Sequence, residues 1–523
     1  MVSLFETNAP TDRTAGYATL SYCWGGVPQF SATRANIGEL INGFSLNRLP
    51  QTVKDAVEVT RSLGLRYLWV DALCIVQDDP LDRDHEIERM GSIYMSAAVT
   101  IAALSATATT EGFLRVPRQS PRSCDIPFPL GHPNKLGTIS LVGNAPEIDL
   151  NNEPLCRRGW AFQELFLSPR TLLYSKDQLL WYSPGSGLKT VSDTTSKYRD
   201  TIKNILSLLA KGASTVAHYR ELLIEADTHI GNHLLKQAKF VPPYASPRNG
   251  GISEHVDDSD DSDSSTPDLK MLRGPDQQFE QYKAQCKTWA HIVTDYTSRE
   301  LTEPEDRLRA LAGVANCLQL VWGVRYIHGL WRNALPDLLQ WAVVQGRALE
   351  RPSQAPMPDQ RSNRAPTWSW ASLDCAVGYP EELEPDPKSR SEIEVIGFDS
   401  SWGDNGRGAL TLKGRIIDMS AFEKAFQTDS AAWEGKSKRC WHPDGPLALL
   451  GKDLKVLLLL RPTNNSHELR HLGKEIFLLL REVDEHVYNR VGVGFRSWYD
   501  EANMVFEPKV SGFWGEFSHI TLI

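Results

Sequence analysis

The chain has 523 residues, of which 41% are hydrophobic and 23% charged, and its formal net charge is -9. That length exceeds one ordinary compact domain and predicts two to four, each able to bury a core. The acidic balance excludes a protein steered by its overall charge toward nucleic acid or an anionic membrane surface.

In chain order, YATLSYCW starts a strand at Tyr17, and Gly25-Gly26 stops it. Pro50 initiates a helix along which Val53, Ala56, Val57, Thr60 and Leu63 recur at helical spacing, with Gly64 as terminator. Residues 67–70 read as a buried strand whose end presents Asp71. A further helix runs from Asp84 to about Ala98, with Ile87, Met90, Tyr94 and Ala97 on one stripe, and VTIAAL at 99–104 is a short strand. This alternation predicts an α/β sheet with helices against its faces.

Residues 240–275 are acidic and Ser-rich and cannot bury enough apolar surface to offset chain ordering, so a mobile loop is expected. Its aspartates lack the spacing and closing glutamate of a calcium loop. Helical texture returns from 278 to 342, and a polar, Pro-rich interruption follows at 351–365. From Ala409 onward, ALTLKGRII, KVLLLLR, IFLLLREV and VYNRVGVGF suggest a β-rich region, although the longer apolar runs taken singly are ambiguous between strand and helix. The expected partition is 1–185 α/β, 186–239 helical connection, 240–275 acidic loop, 276–400 mainly helical and 401–523 β-rich.

Eight cysteines are dispersed without a CxxC pair or close Cys/His spacing, which predicts reduced structural thiols and no metal centre. The start MVSLFETNAP lacks a signal arrangement, and the apolar runs at 456–460 and 476–480 are too short to span a bilayer. A cytoplasmic or nuclear location without a transmembrane segment is the expectation. Most of the 15 tryptophans are expected in cores.

Chemistry concentrates beyond the predicted strand ends, where parallel sheets bind ligands. Ser21 and Trp24 follow the first strand, and Asp71, Cys74, Gln77 and Asp78 follow the second. They can orient a hydroxyl-rich or cationic ligand, or they can cap helices and tie loops. A nucleophilic Cys74 would need a base and a lowered pKa, and only His85 lies near it in sequence. In RRGWAFQE at 157–164, Trp160 and Glu164 stand four apart, as residues on one helix face do, with Arg157, Arg158 and Gln163 beside them. The group reads either as a structural ion-pair network or as a ligand pocket whose apolar wall raises a carboxyl pKa.

Three ordered blocks carry a resemblance: YATLSYCWGG at 17–26, YLWVDALCIVQDD at 67–79 with EIERMGSIYMSAAVTIAA at 86–103, and PLCRRGWAFQELFLSPRTLLYSKDQLLW at 154–181. They resemble the fungal heterokaryon-incompatibility (HET) domain family. LTEPEDRLRALAGVA at 301–315, YIHGLW at 326–331 and RAPTWSWASLD at 364–374 are similar to segments that accompany such domains. His85 departs from the tryptophan usual in the family, and no nucleotide-binding oligomerisation module is apparent.

The resemblance implies a module of non-self recognition and regulated cell death, acting through assembly with a protein partner or with itself. It also implies a flavodoxin-like, mostly parallel sheet, remotely similar to Toll/interleukin-receptor-like domains, which serve either assembly or NAD cleavage. Under the NAD reading Glu164 is catalytic, and Ser21, Trp24, Asp71, Arg158 and Trp160 contact NAD, a substrate with no resident cofactor beside it. Asp78, Gln77, Tyr94, Gln163 and Arg170 then hold the fold or an interface. A third possibility is recruitment of the scaffold to specialised metabolism.

Overall fold

The computed structural model describes residues 1–6, 16–26, 30–116, 123–129, 136–142, 150–183, 187–190, 275–344, 365–379, 389–399, 408–424, 437–443, 454–462, 473–498 and 516–523. Most of the connecting region expected at 186–239, nearly all of the acidic loop at 240–275, and the Pro-rich stretch at 351–364 lie outside these residues.

The N-terminal region is a six-stranded sheet. Its strands are β1 (Tyr17–Ser21), β2 (Tyr67–Trp69), β3 (Val99–Ala102), β6 (Thr171–Tyr174), β7 (Leu179–Ser183) and β8 (Gly187–Thr190). A separate hairpin, β4 (Ser123–Pro129) with β5 (Leu136–Val142), interrupts the chain order. The sheet order is β2-β1-β3-β6-β7-β8, parallel through β6 and antiparallel thereafter. The parallel part is therefore doubly wound in the flavodoxin-like order, and the chain crosses from one side of β1 to the other between β2 and β3. Binding crevices of such sheets open beyond the strand carboxyl ends at that crossing.

The connecting helices are α1 (Ile37–Asn42), α2 (Gln51–Ser62), α3 (Asp71–Cys74), α4 (Pro80–Ser96) and α5 (Gly159–Leu167). Helix α2 starts after Pro50 and buries Val53, Ala56, Val59 and Thr60, while Leu63 points outward at 46% exposure. Gly64 turns the chain away with φ +73, a left-handed conformation that favours glycine. Helix α4 begins at Pro80 rather than near Asp84. The Asp79 side chain accepts from the Leu81 and Asp82 amides, and Pro80 sits where its missing N–H costs nothing.

Two further helices, α6 (Pro275–Thr297) and α7 (Arg309–Trp322), build a companion region with residues 365–379. Trp289, Trp331, Trp341, Trp368 and Trp370 are each at most 2% exposed and pack into its core. The Trp289 and Trp370 indoles both donate to the Gly329 carbonyl, at 2.9 and 2.7 Å. Gly329 has φ +93, and a Cβ there would meet Trp370 Nε1 at 2.8 Å, so glycine is required at the turn.

At the C-terminal end, strands Ala409–Asp418, Leu454–Pro462, Gly473–Asp484, Val487–Trp498 and Phe517–Leu522 close into a ring, because the first pairs with both the second and the last. Closure leaves the ring itself no open edge. Within KVLLLL, Val456 and Leu458 join one apolar cluster while Leu457 and Leu459 join the companion core. Burial on both faces is why this run shows no period of two. Among the described residues, no helix is long and apolar enough to cross a membrane, and no group of three or more His, Cys, Asp or Glu side chains could hold a metal ion.

Candidate functional site at the carboxyl edge of the parallel sheet

Strand β1 ends at Ser21, whose hydroxyl donates to Glu164 Oε2 at 2.5 Å across the helix–sheet interface. Glu164 is 3% exposed, on a nine-residue helix that covers the sheet. Its backbone is tied down as well. The Ser168 hydroxyl donates to the Glu164 carbonyl at 2.5 Å, and hydroxyl contacts of 2.5 and 2.7 Å continue from Ser168 to Thr100 on β3 and Thr19 on β1. All three hydroxyl residues are fully buried, so the chain fixes α5 against the two central strands while satisfying polar atoms in a dry interior.

Around Glu164 the structure gathers a second carboxylate, a guanidinium and two phenols. The Trp24 indole donates to Asp71 Oδ2 at 2.8 Å, and the Ala72 amide donates to Asp71 Oδ1 at 2.7 Å. Arg158 donates to the Tyr22 carbonyl and stands in the electrostatic field of both Glu164 and Asp71. Tyr94 donates to the Leu20 carbonyl at 3.0 Å and lies beside Glu164. The Tyr22 hydroxyl is buried beside Asp71 without a hydrogen bond of good geometry. Trp24, Asp71 and Arg158 are partly exposed, whereas Ser21, Tyr22, Tyr94 and Glu164 lie beneath them.

This enclosure moves the charges. Burial pushes the Glu164 carboxyl up to about 7, against the opposing pull of Arg158 and the Ser21 hydrogen bond. Burial also raises Asp71, again opposed by Arg158. For Arg158, burial disfavours the cation, but Glu164 and then Asp71 more than offset it and hold its pKa above the ordinary value. The set is therefore one cation facing two carboxyl groups, one of which titrates near neutrality.

Because Glu164 binds its proton more tightly in the fold than in the open chain, its favourable contribution is complete below pH 4.5 and is lost as pH rises to about 7. A Glu164→Gln variant lacks this titration. Unfolding free energies of the two proteins from urea titrations between pH 4.5 and 8 are expected to diverge by about 3 kcal/mol in favour of glutamine at the alkaline end. Parallel curves would contradict the assignment.

The remaining candidates lie elsewhere. Trp160 donates to Asp306 Oδ2 at 3.1 Å and packs against the companion core. Gln163 accepts from the Gly313 amide at 2.7 Å. Gln77 donates to the Asp71 and Ile75 carbonyls, and Asp78 accepts from the Arg34 amide, so both organise the loop after β2. Exposed Arg170 donates to the Ala98 carbonyl. Burial pushes the Cys74 thiol up to about 12 despite the opposing hydrogen bond from the Val70 amide, the reverse of the lowered pKa an activated nucleophile needs. Sequence reasoning did not single out Tyr22, Thr19, Thr100 or Ser168. The polar Thr19 inside an apolar strand was the available signal.

Residues 17–164 match one family model, described as heterokaryon incompatibility protein (HET). The matched segment starts with β1 and ends on Glu164. No curated protein and no solved structure matches the chain.

Proposed function

Since residues 17–164 form a HET-type domain, we propose that the chain is a module of regulated cell death and non-self recognition that acts through assembly with itself or a protein partner. One observation carries this reading. Glu164 is enclosed at 3% exposure and bonded to Ser21, so its carboxyl joins helix to sheet rather than facing a ligand. Ser21, Asp71, Arg158 and Glu164 then serve as the electrostatic keystone of the surface-bearing domain, and Trp160 and Gln163 seat that domain on the companion helices.

A second reading, NAD cleavage in the manner of Toll/interleukin-receptor-like domains, is favoured by Trp24, Asp71 and Arg158 lying partly exposed at the carboxyl edge of β1 and β2. There Glu164 would stabilise positive charge developing on the ribose, through preorganised electrostatics.

The separating experiment pairs purified wild type with Glu164→Gln, measuring nicotinamide release from NAD, assembly by sedimentation and death on expression in a fungal host. Under the assembly reading no nicotinamide is released, and death falls only as far as folding or assembly falls. Release by wild type that the variant abolishes, with both proteins equally assembled, would replace this reading by the second.

A further inference from the structure

Arg158 is held from outside its own domain. Residue 300, in the strap between α6 and α7, forms a parallel bridge with Arg158. The Gly159 amide donates to the Glu300 carbonyl at 2.7 Å, and the Glu300 amide donates to the Arg157 carbonyl at 2.6 Å. The two bonds grip the backbone on either side of Arg158, which fixes where its side chain starts. Next to them Leu301 sits on Gly159 so closely that a Cβ there would meet Leu301 Cδ2 at 2.5 Å and the Glu300 carbonyl oxygen at 3.3 Å.

The strap is itself anchored. Arg299 bonds Asp295 at 3.0 Å and lies 4.9 Å over the Phe162 ring of α5. Beyond it, Asp306 receives the Trp160 indole, and the Tyr296 hydroxyl donates to the Arg307 carbonyl at 2.6 Å. The Glu300 side chain is exposed, so its contribution comes from main-chain atoms.

We propose that residues 299–301 are the positioning element of Arg158, so that seating of the companion helices on α5 controls whether the guanidinium reaches Asp71 and Glu164. Lifting the strap frees the 157–159 backbone and withdraws the cation from the two carboxyl groups. The sheet-edge site is then a two-region device, complete only when docked. This goes beyond both functional readings and holds under either.

The test reads the carboxyl group rather than death or nicotinamide. Titratable groups facing Glu164 are Tyr22 and Cys23 after β1, Asp71 at α3, Tyr94 on α4 and Arg158 at the start of α5. The carboxyl band of Glu164 is followed by infrared difference against Glu164→Gln, in the full chain, across pH. Glu300→Pro removes the N–H that grips Arg157, and Gly159→Ala wedges Leu301 away. Each is expected to raise the Glu164 midpoint by about one unit, toward the value of Arg158→Met, because the opposing cation retreats. The double variant Gly159→Ala with Leu301→Ala relieves the wedge and is expected to return to the wild-type midpoint. Wild-type midpoints in Glu300→Pro and Gly159→Ala, with faster hydrogen exchange at the bridge amides, would overturn the proposal. If Gly159→Ala fails to fold, Glu300→Pro and the double variant decide it by the same readout.

Discussion

Replacing Arg158 with methionine is expected to cost about 3 kcal/mol at pH 7.5, because this half-buried guanidinium is the cation set against buried Glu164 and half-buried Asp71. Methionine keeps the length and most of the volume, so the loss is electrostatic rather than a cavity. Without the guanidinium, Asp71 and Glu164 face each other with no cation, and the Tyr22 carbonyl loses its donor. The deficit is expected to shrink in acid, since Glu164 then takes up a proton and its buried anion disappears. The neighbouring Arg157→Met change supplies the control. Arg157 is exposed, and its loss is expected to stay within about 0.5 kcal/mol. Urea unfolding of both variants at pH 7.5 and 5 decides the matter. An Arg158 variant as stable as the Arg157 one would show that the cluster is not held by charge.

The second large effect is at the crossing of α4 and α7. A Cβ on Gly313 would lie 2.8 Å from the Gly91 Cα and 2.6 Å from Gln163 Oε1. The first contact sets a Cβ, whose position the backbone fixes, against a backbone atom, so no rotamer change relieves it. Gly313→Val is expected to force α7 away from α4 and α5 at a cost of about 3 kcal/mol, and to break the Gly313 amide bond to Gln163. Its signature is faster hydrogen exchange in α4, α5 and α7, with the N-terminal sheet unfolding separately from the companion region. Gly38 in α1 has nothing within 4 Å, so Gly38→Ala is expected to be neutral or slightly stabilising. A single cooperative transition at the wild-type midpoint for Gly313→Val would refute tight docking.

Strands β1, β2 and β3 were legible as short runs rich in apolar and aromatic residues bounded by turn signals, and α2 from its helical apolar spacing, whereas β6 was not singled out. The start of α4 was also written there, in the Asp79-Pro80 pair, but the apolar stripe begins later and pulled the boundary toward Asp84. The spacing of Trp160 and Glu164 could not reveal that α5 is buried between two bodies. Glu164 and Ser168 bond to the sheet side, while Trp160 and Gln163 bond to the companion. Four-residue spacing reports a shared helix face, and a short helix wedged between two cores uses neighbouring residues for different walls. Residue spacing alone does not separate adjacent Arg157 and Arg158, and the resemblance supplied the choice of Arg158; the main-chain bonds of Glu300 to Arg157 and Gly159 had no signal in the side chains.

Helix α5 belongs to two bodies, and that limits where the chain can be cut and rejoined. The family match stops at Glu164, yet Phe162 and Leu167 complete a core whose other walls come from α6, α7 and the tryptophan-bearing segments. A gene fusion that transplanted residues 17–190 onto an unrelated partner would carry an uncovered apolar stripe with it. The unit able to keep its apolar surface covered is therefore larger than the matched segment, and such a fusion is expected to aggregate unless its partner covers that stripe.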